Sequence, residues 1–276
     1  YGNGANERLL GRVIPNRRSD LVLATKCGIR AGAVGRPGGL DGSPEEIRRS
    51  CEESLQRLNI EVIDLFYLHR IDPKTPIEDS VGTLAELVRA GKVRHIGLSE
   101  AAPATIRRAH DVHPITAVQS EYSLWWRDPE TQVLPVCLEL GITFVPFCPL
   151  GRGFLSGRVS SLDPLDDEDL RRRLPRFQGD NLATNRTLVA RLEAFAVERG
   201  VPPSQIALAW ILAKGDHIVP IPGTKRRAYL ESNAAAMEIS LSPTEMTQLE
   251  TLFPPDAAVG ERYNTQMAQW VDRTTV

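Results

Sequence analysis

Ser43-Pro44-Glu45-Glu46 opens a stretch that closes on Ile63-Asp64-Leu65-Phe66-Tyr67-Leu68-His69. The first four residues are a helix start. A serine can accept from the third helical N–H, a glutamate three places on can reach back, and proline takes the first helical position, where its missing N–H costs nothing. Ile47, Cys51, Leu55 and Leu58 then recur on one stripe of a helix reaching about Leu58. The run 63–69 is short, mostly apolar and ends in an imidazole, as a strand buried on both faces reads. A helix feeding such a strand is the repeating unit of a parallel α/β sheet.

The same rhythm extends in both directions. Further strand-like runs are Leu21-Val22-Leu23-Ala24-Thr25-Lys26, His95 to Glu100, Ala117 to Tyr122, Thr143 to Pro149 and His217 to Gly223. Helical patterns fit 76–91, 103–112, 129–140, 186–199, 204–214 and 225–236, and Ser242-Pro243-Thr244-Glu245 caps a last helix. That makes six βα units. An open doubly wound sheet and an eight-fold barrel both fit this alternation, and the lack of a Gly-x-Gly-x-x-Gly joining a strand to a helix weakens the dinucleotide-binding doubly wound reading. If the fold is a (β/α)8 barrel, the expected architecture is one barrel domain over residues 1–276, N-terminally incomplete, with the first two strands lying before Tyr1. Two long loops, 28–42 (rich in glycine) and 151–185, follow strand ends, the face on which barrel enzymes keep their sites.

Composition narrows the function class. The formal net charge of −2 argues against a nucleic acid or an anionic membrane surface as partner. No apolar run approaches the ~20 residues of a membrane span. The cysteines, Cys27, Cys51, Cys137 and Cys148, show no CxxC spacing and read as reduced thiols, so a cytoplasmic protein is expected. A small molecule is the expected partner.

Polar or special residues gather where the runs end: Lys26, His69, Ser99 with Glu100, Gln119 with Tyr122, Phe147 with Pro149, and Gly223 with Thr224. Taken singly, each has a plain reading. A strand-end lysine is a solvated charge, a lone histidine a structural hydrogen bonder, a glycine-rich loop mere flexibility. Parallel strands would converge these ends on one surface. A phenol (Tyr1), an ammonium (Lys26) and an imidazole (His69) meeting there make acid–base chemistry the better reading, because a cation beside a phenol stabilises its phenolate.

Tyr1-Gly2-Asn3-Gly4-Ala5-Asn6-Glu7-Arg8-Leu9-Leu10-Gly11, then Ala24-Thr25-Lys26 and Asp64 to Arg70, resemble the aldo-keto reductase superfamily in order and spacing. So do Gly91 to Ser99, Gln119, Pro149 to Gly153, and Ile221 to Arg226 with Asn233. The likeness spans essentially the whole chain. It leans toward the branch of bacterial and plant NADPH-dependent aldehyde reductases and potassium-channel β subunits. It implies a (β/α)8 barrel that binds an extended nicotinamide cofactor, NADPH, and reduces an aldehyde or ketone to an alcohol.

By the same resemblance Tyr1 is the general acid, Lys26 stabilises its phenolate, and His69 orients the carbonyl. The family's fourth member, an Asp five residues before the tyrosine, is not in this chain. Ser99 and Gln119 would hold the carboxamide, and Phe147 would stack on the nicotinamide. Pro149, Leu150, Gly151, Arg152 and Gly153 would line the pyrophosphate. Gly223, Thr224, Lys225 and Arg226 would receive the 2′-phosphate at a helix start, and Glu231 and Asn233 the adenine. Glu100 stands where an Asn commonly follows the serine, and Tyr229 where many members carry a phosphate-binding Arg. Trp125 and Trp126, the 28–42 loop and the tail 257–276 with Tyr263 and Trp270 would set substrate choice. Two other outcomes fit the same residues: an NADPH-binding regulatory subunit with little turnover, or an inactive truncated barrel.

Overall fold

The structure is a computed structural model that describes residues 1–30, 32, 38–159 and 161–273. Much of the 28–42 loop and the last residues of the tail, 274–276, lie outside the described residues. The strands form a sheet in chain order, β1-β2-β3-β4-β5. Two compact units divide the chain.

The first unit holds residues 1–119, 139–142 and 269–276. It contains α1 (Ala5–Leu10), β1 (Ala24–Cys27), α2 (Pro44–Leu58), β2 (Ile63–Leu68), α3 (Ile77–Arg89), β3 (Val93–Ser99), α4 (Pro103–Val112) and most of β4 (Ile115–Glu121). Ser43 accepts from Glu46 N–H, so the serine half of the capping box is made; the Glu46 carboxylate instead takes Arg49 and Ser50, and Ser43 N–H donates to Asp41. The stripe Ile47, Cys51, Leu55 and Leu58 is buried. Each large aliphatic side chain so covered contributes roughly 1.5–3 kcal/mol. Strands β1 to β4 pair in parallel. Their register places Cys27 beside Leu68, Leu68 beside Leu98, and Ser99 beside Gln119. The carboxyl ends therefore finish level, each strand joined to the next parallel one by a crossover through a helix.

The second unit holds residues 120–138 and 143–268. It contains α5 (Val133–Glu139, ending just across the boundary), β5 (Thr143–Phe147), α6 (Gly179–Glu198), α7 (Pro203–Leu212), α8 (Arg227–Ala234), α9 (Pro243–Leu252) and α10 (Thr265–Ala268). Trp210, Tyr122 and Phe144 are fully buried and in ring contact. Buried Tyr122 donates to Glu130 at 2.7 Å, and Arg127 and Lys214 also meet that carboxylate.

Three expectations are corrected here. Residues 217–223 form no strand; they touch β5 only through isolated parallel bridges at Ile218 and Ile221. The parallel bonds to β5 are made, Phe144 N–H to His217 C=O, Val219 N–H to Phe144 C=O and Ile221 N–H to Pro146 C=O, while Pro220 and Pro222 leave the run's other edge without N–H donors. The helix expected over 186–199 begins at Gly179, so the end of the long 151–185 loop is already helical, and the rest is folded into short 3₁₀ turns. The helix expected over 225–236 starts at Arg227, because Thr224 Oγ1 accepts from Arg226 N–H and makes a turn of the preceding residues.

Candidate active site

In the first unit, β1 carries Lys26 one residue from its end, and His69 directly follows β2. The backbone N–H of His69 donates to Cys27 C=O at 2.9 Å, which extends the ladder one step and fixes where the imidazole starts. Tyr1 precedes α1. Lys26 Nζ lies 3.1 Å from Tyr1 Oη, and the Tyr1 and His69 rings are 5.8 Å apart. Phenol, ammonium and imidazole thus meet in one place. Among the described residues no carboxylate pairs with Lys26.

Burial, then the positive charges of Lys26 and Arg70, push the imidazole pKa of His69 down to about 2. It is therefore neutral across the physiological range. A neutral ring can donate one N–H without bringing a charge to the site.

Two residues to which the sequence reading gave no role shape this cluster. Glu7, on α1, is buried; it accepts from Thr25 Oγ1 and from Arg57 Nε, each at 2.6 Å. It ties the helix behind Tyr1 to the strand that carries Lys26. Desolvation pulls its carboxyl up, but the bonds from Thr25, Arg57 and Ser54 outweigh that and hold it below its ordinary value. The second is Tyr67, whose ring lies 5.6 Å from Lys26 Nζ. It fits because Gly97 sits opposite: a Cβ there would fall 2.4 Å from the Tyr67 ring. Burial raises the Tyr67 phenol to about 12, with Gln119 hydrogen-bonded to it. No local sequence signal marked Tyr67, because its fit depends on the register that sets it beside Gly97.

Ser99 closes β3 and is buried; its hydroxyl accepts from Arg70 at 3.2 Å. Gln119, its register partner, is also buried. Glu100 turns the chain in a left-handed conformation, φ +55°, and its N–H donates to Gln119 C=O.

In the second unit, Phe147 ends β5 and leads into Cys148-Pro149-Leu150. Gly151, Arg152 and Gly153 follow with φ of +55°, +57° and +90°. A Cβ at Gly151 would fall 2.6 Å from the Trp125 indole nitrogen, so only glycine passes there. Arg152 pairs with buried Glu121 at 3.2 Å. Trp125 is buried and stacked on Phe154 at 4.9 Å, whereas Trp126 is half-buried between the guanidiniums of Arg176 and Arg262.

Gly223, Thr224, Lys225 and Arg226 form the turn before α8, and Glu231 and Asn233 lie on that helix. No side chain caps α8. Lys225, Arg226 and Arg227 crowd its start and have no carboxylate partner among the described residues. An uncapped helix start ringed by unpaired cations fits a phosphate monoester. Paired polar side chains at Ser99 and Gln119 fit an amide.

Level strand ends that carry the reactive side chains are the frame of a barrel enzyme. The sequence profile of the Aldo/keto reductase family matches residues 1–253. A Glycine max protein named "Probable aldo-keto reductase 1" is 45% identical over 265 residues, covering 95% of this chain and 76% of that one. A solved glycerol dehydrogenase from Gluconobacter oxydans is 26% identical with a TM-score of 0.83, over 95% of this chain and 80% of its own. A thermostable aldo-keto reductase solved with the inhibitor epalrestat is 32% identical, TM-score 0.70, over 91% and 79%. An aldo/keto reductase from Klebsiella pneumoniae solved with NADP and acetate is 26% identical, TM-score 0.71, over 96% and 81%. The chain belongs to the aldo/keto reductase family of oxidoreductases, and its fold is of the (β/α)8 barrel class.

Proposed function

We propose that the chain reduces an aldehyde or ketone to an alcohol with NADPH, Tyr1 acting as the general acid. The observation that carries this reading is the 3.1 Å approach of Lys26 Nζ to Tyr1 Oη, with the His69 ring beside it. Bound NADPH would supply the hydride that adds to the carbonyl carbon. Negative charge then grows on the carbonyl oxygen, and Tyr1 donates its phenolic proton there. Lys26 stabilises the phenolate left behind. Tyr1 is 74% exposed, so water holds that attraction to about 1 kcal/mol; with water displaced by substrate it rises to roughly 4 kcal/mol. His69, neutral, donates a hydrogen bond to the carbonyl oxygen and aims it.

Ser99 and Gln119 would hold the carboxamide, Phe147 would face the nicotinamide, and Pro149 to Gly153 would pass along the pyrophosphate. Gly223 to Arg226 would take the 2′-phosphate, with Glu231 and Asn233 near the adenine. Trp126 would wall the substrate, backed by buried Trp125. Among the described residues the four cysteines form no disulfide and three are buried, which suits a reducing compartment such as the cytoplasm.

The test is direct: mix the protein with NADPH and a panel of aldehydes that includes a nitrobenzaldehyde, and follow loss of NADPH absorbance. Turnover abolished by Tyr1→Phe supports the reading. No turnover by the unmodified protein with any member of the panel refutes it.

A further inference from the structure

Strand pairing sets Lys26 of β1, Tyr67 of β2, Gly97 of β3 and Ala117 of β4 in one register row, all within the first unit. Side chains two residues apart share a face of a sheet. His69, Ser99 and Gln119 therefore stand on the same face as that row, one step nearer the carboxyl ends. The row is the layer directly beneath the residues that would aim the carbonyl and hold the carboxamide.

Tyr67 fills that layer and is 1% exposed. Gly97 has no side chain and Ala117 only a methyl, so the ring can lie across β3 toward β4. A Cβ at Gly97 would come within 2.4 Å of the ring carbons Cδ1 and Cε1. Lys26 Nζ lies 5.6 Å from the centre of the ring. Gln119, on β4, is hydrogen-bonded to its phenol. A glycine inside a strand weakens it, and a buried phenol must find a partner, so aliphatic side chains would fill this space more simply. An aliphatic side chain cannot offer a π face to an ammonium and a hydroxyl to an amide at once.

We propose that Tyr67 is a positioning residue: a rigid plate that fixes Lys26, and through it the Tyr1 phenol, at a set distance from Gln119 and hence from the nicotinamide. It acts through Lys26 and Gln119 rather than on the reacting atoms. The inference rests on the NADPH reading above. It assigns to one buried ring the spacing between proton donor and hydride donor, and a misplacement of about 1 Å in such a spacing slows a reaction about a hundredfold.

Cofactor titrations followed by fluorescence, and steady-state reduction of an aldehyde that the unmodified protein turns over, test it on that protein, Tyr67→Phe and Tyr67→Leu. Tyr67→Phe keeps the ring and loses the hydroxyl. It is expected to loosen NADPH and NADH alike, about fivefold, the scale of one hydrogen bond, because both carry the carboxamide. Tyr67→Leu also loses the ring, and is expected in addition to cut kcat about tenfold, the scale of a desolvated cation–π contact. Most of kcat returning in Tyr67→Phe without cofactor affinity is a split that a general loss of packing would not give. An undiminished kcat in Tyr67→Leu, an equal fall of kcat in both variants, or unchanged cofactor affinity in Tyr67→Phe overturns the proposal and leaves the NADPH reading standing. If the unmodified protein neither binds NADPH nor turns over, the functional reading and this inference fall together. Urea unfolding of each variant separates a folding loss from a positioning loss. Should Tyr67→Leu not fold, Tyr67→Phe, which fills the same space, decides by its affinity alone.

Discussion

At the scale of single residues the chemistry turns on charge placement. Lys26 is expected to serve the phenol rather than the cofactor. Lys26→Met should therefore cut kcat by about a hundredfold or more with NADPH affinity nearly kept; equal activity would refute the role. His69, held neutral, should add no step near its ordinary value of 6.5 to the pH profile of kcat/KM. A step near that value that vanishes in His69→Gln would contradict this. Glu7 bonds both Thr25 and Arg57, so Glu7→Gln leaves a half-buried guanidinium with Glu53 alone as counter-charge. The expected cost is about 2 kcal/mol, read from urea unfolding. Lys26 and His69 were legible as strand-end residues. Glu7 was visible only as part of a motif, because its partners come from distant segments.

At the scale of elements, helix starts were the most legible feature. Ser43 and Ser242 both accept from the N–H three residues on, and Ser242 with Glu245 completes a reciprocal capping box. These are local bonds, encoded by residues three apart. The sixth run meets β5 only through isolated bridges, and its two prolines, an equally local feature, leave its other edge without N–H donors. What could not be read locally is the fit between neighbouring strands. Gly97 exists beside Tyr67 because β2 and β3 pair in that register. Gly97→Ala would force the Tyr67 ring away from Lys26, at about 1–3 kcal/mol. Tyr67→Leu in the same chain should recover part of that loss, since the added methyl then has room. Denaturation of the single and double variants measures both; a harmless Gly97→Ala would show that the ring lies elsewhere.

At the scale of the whole molecule, paired carboxylates govern pH tolerance. Glu7, Asp41, Asp64 and Glu130 are each held below their ordinary values. In every case desolvation is opposed and outweighed by hydrogen bonds and nearby cations: Ser43 and Arg30 for Asp41, Arg18 for Asp64, Arg127 for Glu130. A depressed folded pKa gives stability that is full above the unfolded values, 3.8 for Asp and 4.5 for Glu, and is lost as pH falls through the folded ones. His69 adds a loss in the same direction that begins below 6.5, where the unfolded chain takes up a proton that the folded ring refuses. The urea midpoint should thus be level near neutrality, decline gently below pH 6.5 and steeply below about 4.5. An unchanged midpoint at pH 3 would contradict the pairing.

The sequence by itself determined the βα rhythm, the helix starts and the family, since these rest on spacing within short segments and on motifs in a fixed order. It also named the phenol, ammonium and imidazole. Only the tertiary structure decided that Lys26 comes within hydrogen-bond reach of Tyr1, that Glu7 braces the pair, and that Tyr67 reaches from Lys26 to Gln119. Those contacts join residues far apart in the chain, and strand register and loop path, not local propensity, set them.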